Sequence, residues 1–283
     1  MATLSPLRYP GGKDKTYHYI KYLVQKNNIT TYIEPFAGGA AVALRLLLNG
    51  DVRKIIINDY DRSIYALWHT ILTNHEELIY LIASTEITID EWYKQKDVQL
   101  AKNNVDEITL AFSTLFLNRT NRAGIIKAGV IGGKTQSGKY KLDCRFNKDE
   151  LIRRIKNIAE RADCIEVYNL DAQEFITTVI KQTRKSLTFF DPPYYDKGPD
   201  LYTNFYTHEN HVQLANTIKT MMKNRYWILT YDIAEQIERM YDGYTPKRYN
   251  LNYSISKPTK GQEFIFFSKK VDPGDIQSYL KII

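Results

Sequence analysis

The tetrapeptide Asp191-Pro192-Pro193-Tyr194, which follows the apolar run Leu187 to Phe190, carries the clearest chemistry in this sequence. Two adjacent prolines fix φ and remove two backbone donors. They also push the residue before each of them toward extended backbone. A strand that exits through such a segment holds one carboxylate, on Asp191, and one backbone carbonyl, on Pro192, at set positions. Two acceptors side by side can grip both hydrogens of an NH2 group, and Tyr194 offers a flat face next to them. An amine such as adenine N6 needs this grip because its lone pair is delocalised into the ring. The nitrogen has to be aimed in line at the methyl group of a sulfonium, and the positive charge that grows on it has to be stabilised. N6 is hidden inside a base pair, so the base would have to be turned out of the duplex. Stacking on Tyr194 would contribute about 1–3 kcal/mol. A stiff turn would explain the prolines, but not an aromatic directly after them at the end of a buried strand.

A second cluster suits the methyl donor. Thr31 to Glu34 reads as a short strand broken by Pro35-Phe36-Ala37-Gly38-Gly39. Ala40 to Leu48, rich in Ala and Leu, reads as a helix. Lys54 to Asn58 is a second strand, and it ends at Asp59. Glycines at the turn let backbone approach a ligand closely, and Asp59 can accept hydrogen bonds from two ribose hydroxyls. The layout fits an adenosine-containing cofactor. It lacks the full G-x-G-x-x-G of a dinucleotide site, which disfavours a nucleotide-dependent dehydrogenase, and it is no P-loop.

Both clusters belong at the carboxyl ends of strands in an open, largely parallel sheet. Strands are expected at Cys164 to Tyr168, Leu187 to Phe190 and Tyr226 to Thr230. Helices are expected at Ala172 to Lys181 and His208 to Lys223. Arg248 to Ser256 and Glu263 to Ser268 alternate like a terminal hairpin. Asn74 to Leu117 and Asp149 to Arg161 read as helical. Between them, Arg119 to Lys148 holds five of the 14 glycines, and eight Lys or Arg against one acid, Asp143. We expect duplex DNA to be held and read there, with Arg119, Asn121, Arg122, Lys134, Gln136, Lys139 and Arg145 as candidate contacts. The alternative for such a segment is a solvated loop.

Together these residues resemble the Dam-type, or D12, family of DNA adenine-N6 methyltransferases, in the α-group order of cofactor motifs, recognition region and catalytic motif. Arg8-Tyr9-Pro10-Gly11-Gly12-Lys13 is similar to the family's N-terminal cofactor motif, which implies that Tyr9 and Lys13 contact S-adenosylmethionine. Glu34 to Ala40 resembles its main cofactor loop, so Glu34, Pro35, Phe36, Ala37, Gly38 and Gly39 are implied contacts. Asn58-Asp59-Tyr60-Asp61 falls on the ribose-binding acid, with Tyr60 beside it. Asn169-Leu170-Asp171-Ala172 is similar to the segment that meets the cofactor's adenine, which implies Asp171 and Ala172. Asp191-Pro192-Pro193-Tyr194 is the catalytic motif, Asp191 also bordering the cofactor. Phe116 to Arg119 and Arg145 to Asn147 resemble the two ends of the recognition region. Between them the chain departs from members that read GATC, with Thr120-Asn121-Arg122-Ala123-Gly124-Ile125-Ile126 and a longer Gly/Lys stretch. The resemblance implies an α/β fold: a Rossmann-like S-adenosylmethionine-dependent methyltransferase sheet with an inserted, mainly helical target-recognition domain. Its expected bounds are 1–73 and 161–283 for the catalytic domain and 74–160 for the insertion. Glutamine and RNA-adenine methyltransferases carry related motifs; Asp at position 191 and the basic segment favour DNA adenine. The other alternative is a DNA-binding module whose methyltransferase fold has lost activity.

Composition narrows the class. With 283 residues the chain can bury a sizeable core, and its net charge of +7 suits a polyanionic partner. No apolar run is long enough to span a bilayer, and the first residues, Met1 to Pro10, lack the apolar core expected of a secretion signal. Cys144 and Cys164 form neither a metal pattern nor a disulfide framework. The expectation is a cytoplasmic, monomeric enzyme without a metal. His208 and His211 read as a surface pair at a helix start. Trp68, Trp92 and Trp227 read as core, and the loop from Tyr195 to Thr207 as a cover for the target base.

Overall fold

The structure, a computed structural model, describes residues 4–8, 13–196, 206–255 and 257–283, with side chains except at 14, 15, 251–255 and 257–260. The expected Tyr9 contact, and the interior of the Tyr195 to Thr207 loop, lie outside the described residues. The chain divides into two compact units, Met1–Gly12 with Asp61–Val167, and Lys13–Tyr60 with Tyr168–Ile283.

A seven-stranded sheet runs in the order β3-β2-β1-β4-β5-β7-β6. Its strands are β1 (Thr31–Glu34), β2 (Lys54–Asn58), β3 (Ile165–Tyr168), β4 (Ser186–Phe190), β5 (Tyr226–Asp232), β6 (Lys247–Ile255) and β7 (Lys257–Phe267). β1 pairs in parallel with β2, Ile33 opposite Ile56, and with β4, Ile33 opposite Thr188. β5 continues the parallel series beside β4. The terminal hairpin then adds β7 antiparallel to β5, with Asp232 opposite Glu263 and Thr230 opposite Ile265. β2 and β4 are short, apolar and mostly buried, as strands covered on both faces must be, whereas only Ile165 of the edge strand β3 is buried. The order reverses direction between β1 and β4. In an open α/β sheet such a reversal splays the outgoing connections apart and leaves a crevice at the carboxyl ends of the strands. Glu34 and Asp191 stand at those two ends.

The connections include the helices α1 (Tyr17–Lys26) and α2 (Ala41–Leu48), both N-terminal to the insertion. One core of this unit gathers Ile33, Phe190, Trp227 and Phe264 from one face of the sheet, with Phe175 and Ile218 from the helices against it.

The other unit is helical: α3 (Arg62–Thr73), α4 (His75–Ser84), α5 (Ile89–Leu100), α6 (Glu107–Thr120) and α7 (Lys148–Ala159). α6 is apolar on nearly every side, buried from Leu110 to Thr120, and is packed by α3, α4 and α5. Starts are set by side-chain caps: Asp61 accepts from Ser63 N, Thr88 from Glu91 N, Asp106 from Thr109 N and Asn147 from Glu150 N. The expected insertion, 74–160, lies within this unit, which extends further. α3 joins it by packing on α6, and residues 4–8 join it through polar anchors. Arg154 Nη1 donates to the Ser5 carbonyl at 2.7 Å, and Asn118 Nδ2 to the Arg8 carbonyl at 2.8 Å. In the sheet unit, α8 (Ala172–Thr178), α9 (His208–Met221) and α10 (Glu235–Met240) follow, α9 starting with a capping box between Thr207 and Asn210. Among the described residues no helix is long and apolar enough to cross a membrane.

Candidate active site

The loop after β1 is built to bring backbone N–H groups together. Gly38 has φ +45° and Ala40 φ +44°, both left-handed. Glycine accepts that geometry freely, whereas Ala40 is strained in it, and strain of this kind collects at functional loops. Ala37 N donates to the Asn58 carbonyl at 2.9 Å and Gly38 N to Asp59 Oδ2 at 2.8 Å. Asn58, which motif reading passed over, ties three strand ends. Its Nδ2 donates to the carbonyls of Pro35 (2.9 Å) and Leu170 (3.0 Å), and its Oδ1 accepts from Leu170 N (2.9 Å). Asn169 Nδ2 donates to the carbonyls of Asp59 (2.7 Å) and Tyr60 (3.1 Å). The structure therefore gathers Pro35, Phe36, Ala37, Gly38, Asp59, Tyr60 and Asp171 at one edge. Phe36 is half-buried against Tyr206, edge to face at 5.8 Å between centroids. Tyr60 is exposed, and Asp171 caps α8 through Gln173 N while Ala172 is buried. Glu34 is buried, its Oε1 accepting from Ala43 N at 3.3 Å. Burial, with the negative charge of Asp191 adding to it, pushes the Glu34 carboxyl up to about 8.

At the end of β4, Asp191 forms the outer face of a buried polar cluster. Lys13 Nζ lies 2.9 Å from Asp191 Oδ1, and Thr230 Oγ1 donates to that same oxygen at 2.7 Å. Lys13 also donates to Tyr194 Oη and reaches Glu263 Oε1, both at 3.3 Å. The Tyr194 hydroxyl donates to Glu263 Oε1 at 2.5 Å, and the Tyr249 hydroxyl donates to Glu263 Oε2. Lys13, Tyr194 and Glu263 are all buried, whereas the Asp191 side chain keeps 24% of its surface open. Oδ1 is thus committed inward, to Lys13 and Thr230. Burial raises the Asp191 pKa; Lys13 and the Thr230 hydroxyl pull it down, and Glu263 pushes it up.

Tyr194 is only 4% exposed. Its ring has the Lys13 ammonium 5.3 Å from its centroid, so it works as a fixed wall and offers little free face. The chain beyond it is fixed by Asp232, whose two carboxylate oxygens accept from Tyr195 N (2.8 Å) and Asp196 N (3.0 Å). Tyr195 pairs through its hydroxyl with His208 Nδ1 at 2.8 Å. The expectation of a surface histidine pair holds for His208 and is corrected for His211. His211 is buried against Tyr195, Tyr206 and Tyr231, its Nδ1 2.7 Å from the Tyr231 hydroxyl, and burial brings its pKa down to about 4. The surrounding tyrosines, spread over the sequence, gave no signal of that. Trp68, Trp92 and Trp227 are core residues.

In the helical unit the candidate DNA contacts separate by burial. Arg119 is buried, with Nε donating to the Pro6 carbonyl at 2.7 Å and Nη2 to the same oxygen. Burial lowers its pKa to about 9. Asn121 is fully buried: Oδ1 accepts from Trp92 Nε1 at 2.7 Å, and Nδ2 donates to the carbonyls of Ile125 and Ile126. Gln136 organises the glycine turn, donating to the Ile131 and Gly133 carbonyls and accepting from Leu142 N. These three build the segment. Arg122, Lys134, Lys139 and Arg145 are exposed, Lys134 over the Tyr93 ring and Lys139 over the exposed Tyr140 ring. Gly124 sits at φ +78°, where an added Cβ would meet the Arg8 carbonyl oxygen at 2.3 Å, so only glycine allows residues 4–8 this approach. Among the described residues no group of three or more His, Cys, Asp or Glu could hold a metal ion.

Residues 9–255 match the family model for D12 class N6 adenine-specific DNA methyltransferases. The chain is 27% identical over 209 residues to the Type II methyltransferase M.MjaIII of Methanocaldococcus jannaschii, covering 66% of this chain and 68% of that one. It is 26% identical over 258 residues to the Type II methyltransferase M.CviBI of Paramecium bursaria Chlorella virus NC1A, covering 87% and 90%. Among solved structures, the rRNA methyltransferase aviRa from Streptomyces viridochromogenes superposes with a TM-score of 0.43 at 10% identity, over 94% of this chain and 88% of that one.

Proposed function

The chain belongs to the D12 class of N6 adenine-specific DNA methyltransferases, and on that premise we propose that it moves a methyl group from S-adenosylmethionine to N6 of an adenine turned out of duplex DNA. The observation that carries this is the state of Asp191. One oxygen is locked by Lys13 and Thr230 while the side chain opens at the end of β4, next to the loop that leaves β1.

The residues fit the cofactor. A carboxylate, Asp59, is held against the loop by Gly38 N–H, where it can accept from a ribose diol. The exposed ring of Tyr60 and the half-buried ring of Phe36 can flank a purine, and Asp171 stands at the start of α8. S-adenosylmethionine, when bound, supplies a methyl group made electrophilic by the sulfonium. Asp191 Oδ2 accepts one N6–H and the Pro192 carbonyl the other. The two acceptors turn the lone pair out of the ring plane and offset the positive charge that grows on nitrogen. Tyr194 bounds the base pocket as a rigid wall. Pro192 and Pro193 stiffen the strand exit, and Asp232 holds it from the far side. Arg122, Lys134, Lys139 and Arg145 contact phosphates or base edges, with Arg119, Asn121 and Gln136 shaping the segment that presents them. The enzyme acts as a monomer in this scheme. Its relatives' designation as Type II methyltransferases makes a restriction–modification setting the natural one to examine.

The test is to incubate the protein with labelled S-adenosylmethionine and duplex DNA, RNA or protein, and to map modified adenines in DNA from cells that express it. N6-methyladenine at a defined sequence, abolished in Asp191→Ala, is the expected result. Label in RNA or protein alone, or full transfer by Asp191→Ala, would overturn the proposal.

A further inference from the structure

We propose that Glu263 is a positioning residue for methyl transfer: it shares the Lys13 ammonium with Asp191 and fixes Tyr194 by its hydroxyl. The inference rests on Asp191 being the acceptor for the amine, and it adds a residue that no motif includes.

The placement of Glu263 is otherwise hard to explain. It lies in β7 next to the apolar run Phe264 to Phe267 and is 1% exposed. Burying a carboxylate there costs more than burying an apolar side chain of similar size. Yet both oxygens are engaged: Oε1 accepts from Tyr194 Oη and lies near Lys13 Nζ, and Oε2 accepts from Tyr249 Oη. Two of its three partners lead to the substrate-facing group. Lys13 bridges to Asp191 at 2.9 Å, and Tyr194 is three residues beyond Asp191 on the same stiff exit.

The charges explain what this does. Around Glu263 stand Lys13 on the turn Lys13–Thr16, Asp191 and Tyr194 on the β4 exit, Tyr249 on β6, and Asp232 and Thr230 on β5; Tyr32 and Glu34 of β1 face Asp191. Among the described residues one ammonium, that of Lys13, lies against both carboxylates. If Lys13 paired with Asp191 alone, the pair would be neutral and a poor acceptor of positive charge. With Glu263 drawing on the same ammonium, the cluster stays net negative, and its exposed edge is Asp191 Oδ2. Positive charge growing on a bound amine meets that edge.

The experiment uses the full chain with duplex DNA and S-adenosylmethionine, comparing wild type, Glu263→Gln, Tyr194→Phe and the double variant. Glu263→Gln should lower kcat about tenfold or more while KM for DNA changes by less than about threefold. Its acidic limb in the pH–rate profile should move to lower pH, because a negative neighbour of Asp191 is gone. A residue with a merely structural role would not move that limb. Tyr194→Phe should slow kcat while keeping the ring, and the double variant should be no slower than Glu263→Gln, the non-additivity expected of linked groups. A folded Glu263→Gln protein with wild-type kcat, or with an unmoved limb, overturns the inference. If Glu263→Gln does not fold, undiminished kcat in Tyr194→Phe overturns it. A wild-type protein that leaves DNA unmodified would instead strike the proposed function itself.

Discussion

Replacing Thr230 by Val is the most discriminating single perturbation of the active site. The two side chains have nearly the same shape, and Val suits a buried strand, so what is lost is one hydroxyl. That hydroxyl donates at 2.7 Å to Asp191 Oδ1. A hydrogen bond to a charged group is worth about 1.5–3 kcal/mol. All of it favours the ionised carboxylate, and one pH unit corresponds to about 1.4 kcal/mol. Losing the bond should therefore move the acidic limb of the rate profile up by about one to two pH units. The sign follows from the surroundings: burial already raises the Asp191 pKa, and Thr230 is one of the groups holding it down. Activity lost as pH falls should then be lost earlier. At high pH, where the carboxylate is ionised in both proteins, the rates should converge to within a few-fold. Single-turnover methyl transfer from labelled S-adenosylmethionine, followed from about pH 5 to pH 9, reads the chemical step directly. The shift is opposite in direction to that expected of Glu263→Gln, so the pair separates charge tuning from general damage. A Thr230→Val profile that superimposes on the wild type, in a folded protein, would refute the assignment of Asp191 as the titrating acceptor.

Four further outcomes are expected. Asp232→Asn removes a carboxylate that accepts from two consecutive backbone N–H groups beside the catalytic motif, and should lower kcat about tenfold with little change in DNA affinity; unchanged single-turnover rates would count against the clamp. Glu34→Gln should stabilise the fold. The Glu34 carboxyl sits at about 8 against an ordinary value near 4.5, so wild-type stability falls as pH rises between those values, and melting curves should show the gain growing over that range and levelling off above about pH 8. Arg119→Ala should cost about 2–4 kcal/mol, read as a melting temperature roughly 5–15 °C lower, because a buried guanidinium bonded to the Pro6 carbonyl is lost. Arg122→Ala or Arg145→Ala should leave stability within about 0.5 kcal/mol while weakening DNA binding and flattening its salt dependence by about one ion; equal effects on melting and none on binding would remove these residues from the interface.

The sheet was largely legible because its signals are local. β1, β2, β4 and β5 are short, largely apolar runs, each ending in or followed by an acid, a proline or both, and each lies within two residues of where alternation and composition put it. The loop at Pro35 to Gly39 and the acid at Asp59 share one βαβ unit, so one stretch of sequence contains both halves of the cradle. Asn58 and Asp232 escaped notice because their partners are backbone groups, and a backbone partner has no letter in a sequence. The boundary of the helical unit differs from 74–160 for a similar reason. What binds α3 and residues 4–8 to that unit is packing on α6 and carbonyl contacts to Arg119, Arg154 and Asn118, all set by tertiary placement.

The active site makes the same point about charge. Asp191 was readable from its two prolines, yet whether it acts as a carboxylate is decided by groups far along the chain. Thr230 lies 39 residues away, and the Lys13–Glu263 pair joins positions 250 residues apart. They meet only because the hairpin inserts β7 between β5 and β6, which sets Glu263 opposite Asp232, with β5 alone between it and the strand that ends at Asp191. Residue type alone would have placed Lys13 with the cofactor and left Glu263 as a strand acid. It would have called Arg119 and Arg122 equivalent, although one is buried on a carbonyl and the other faces solvent. Burial is what separates a charge that shapes a site from one that meets a ligand, because only in the interior does an ion have to find its partners within the protein. Motif and composition name the ions; the strand order decides which of them the substrate meets.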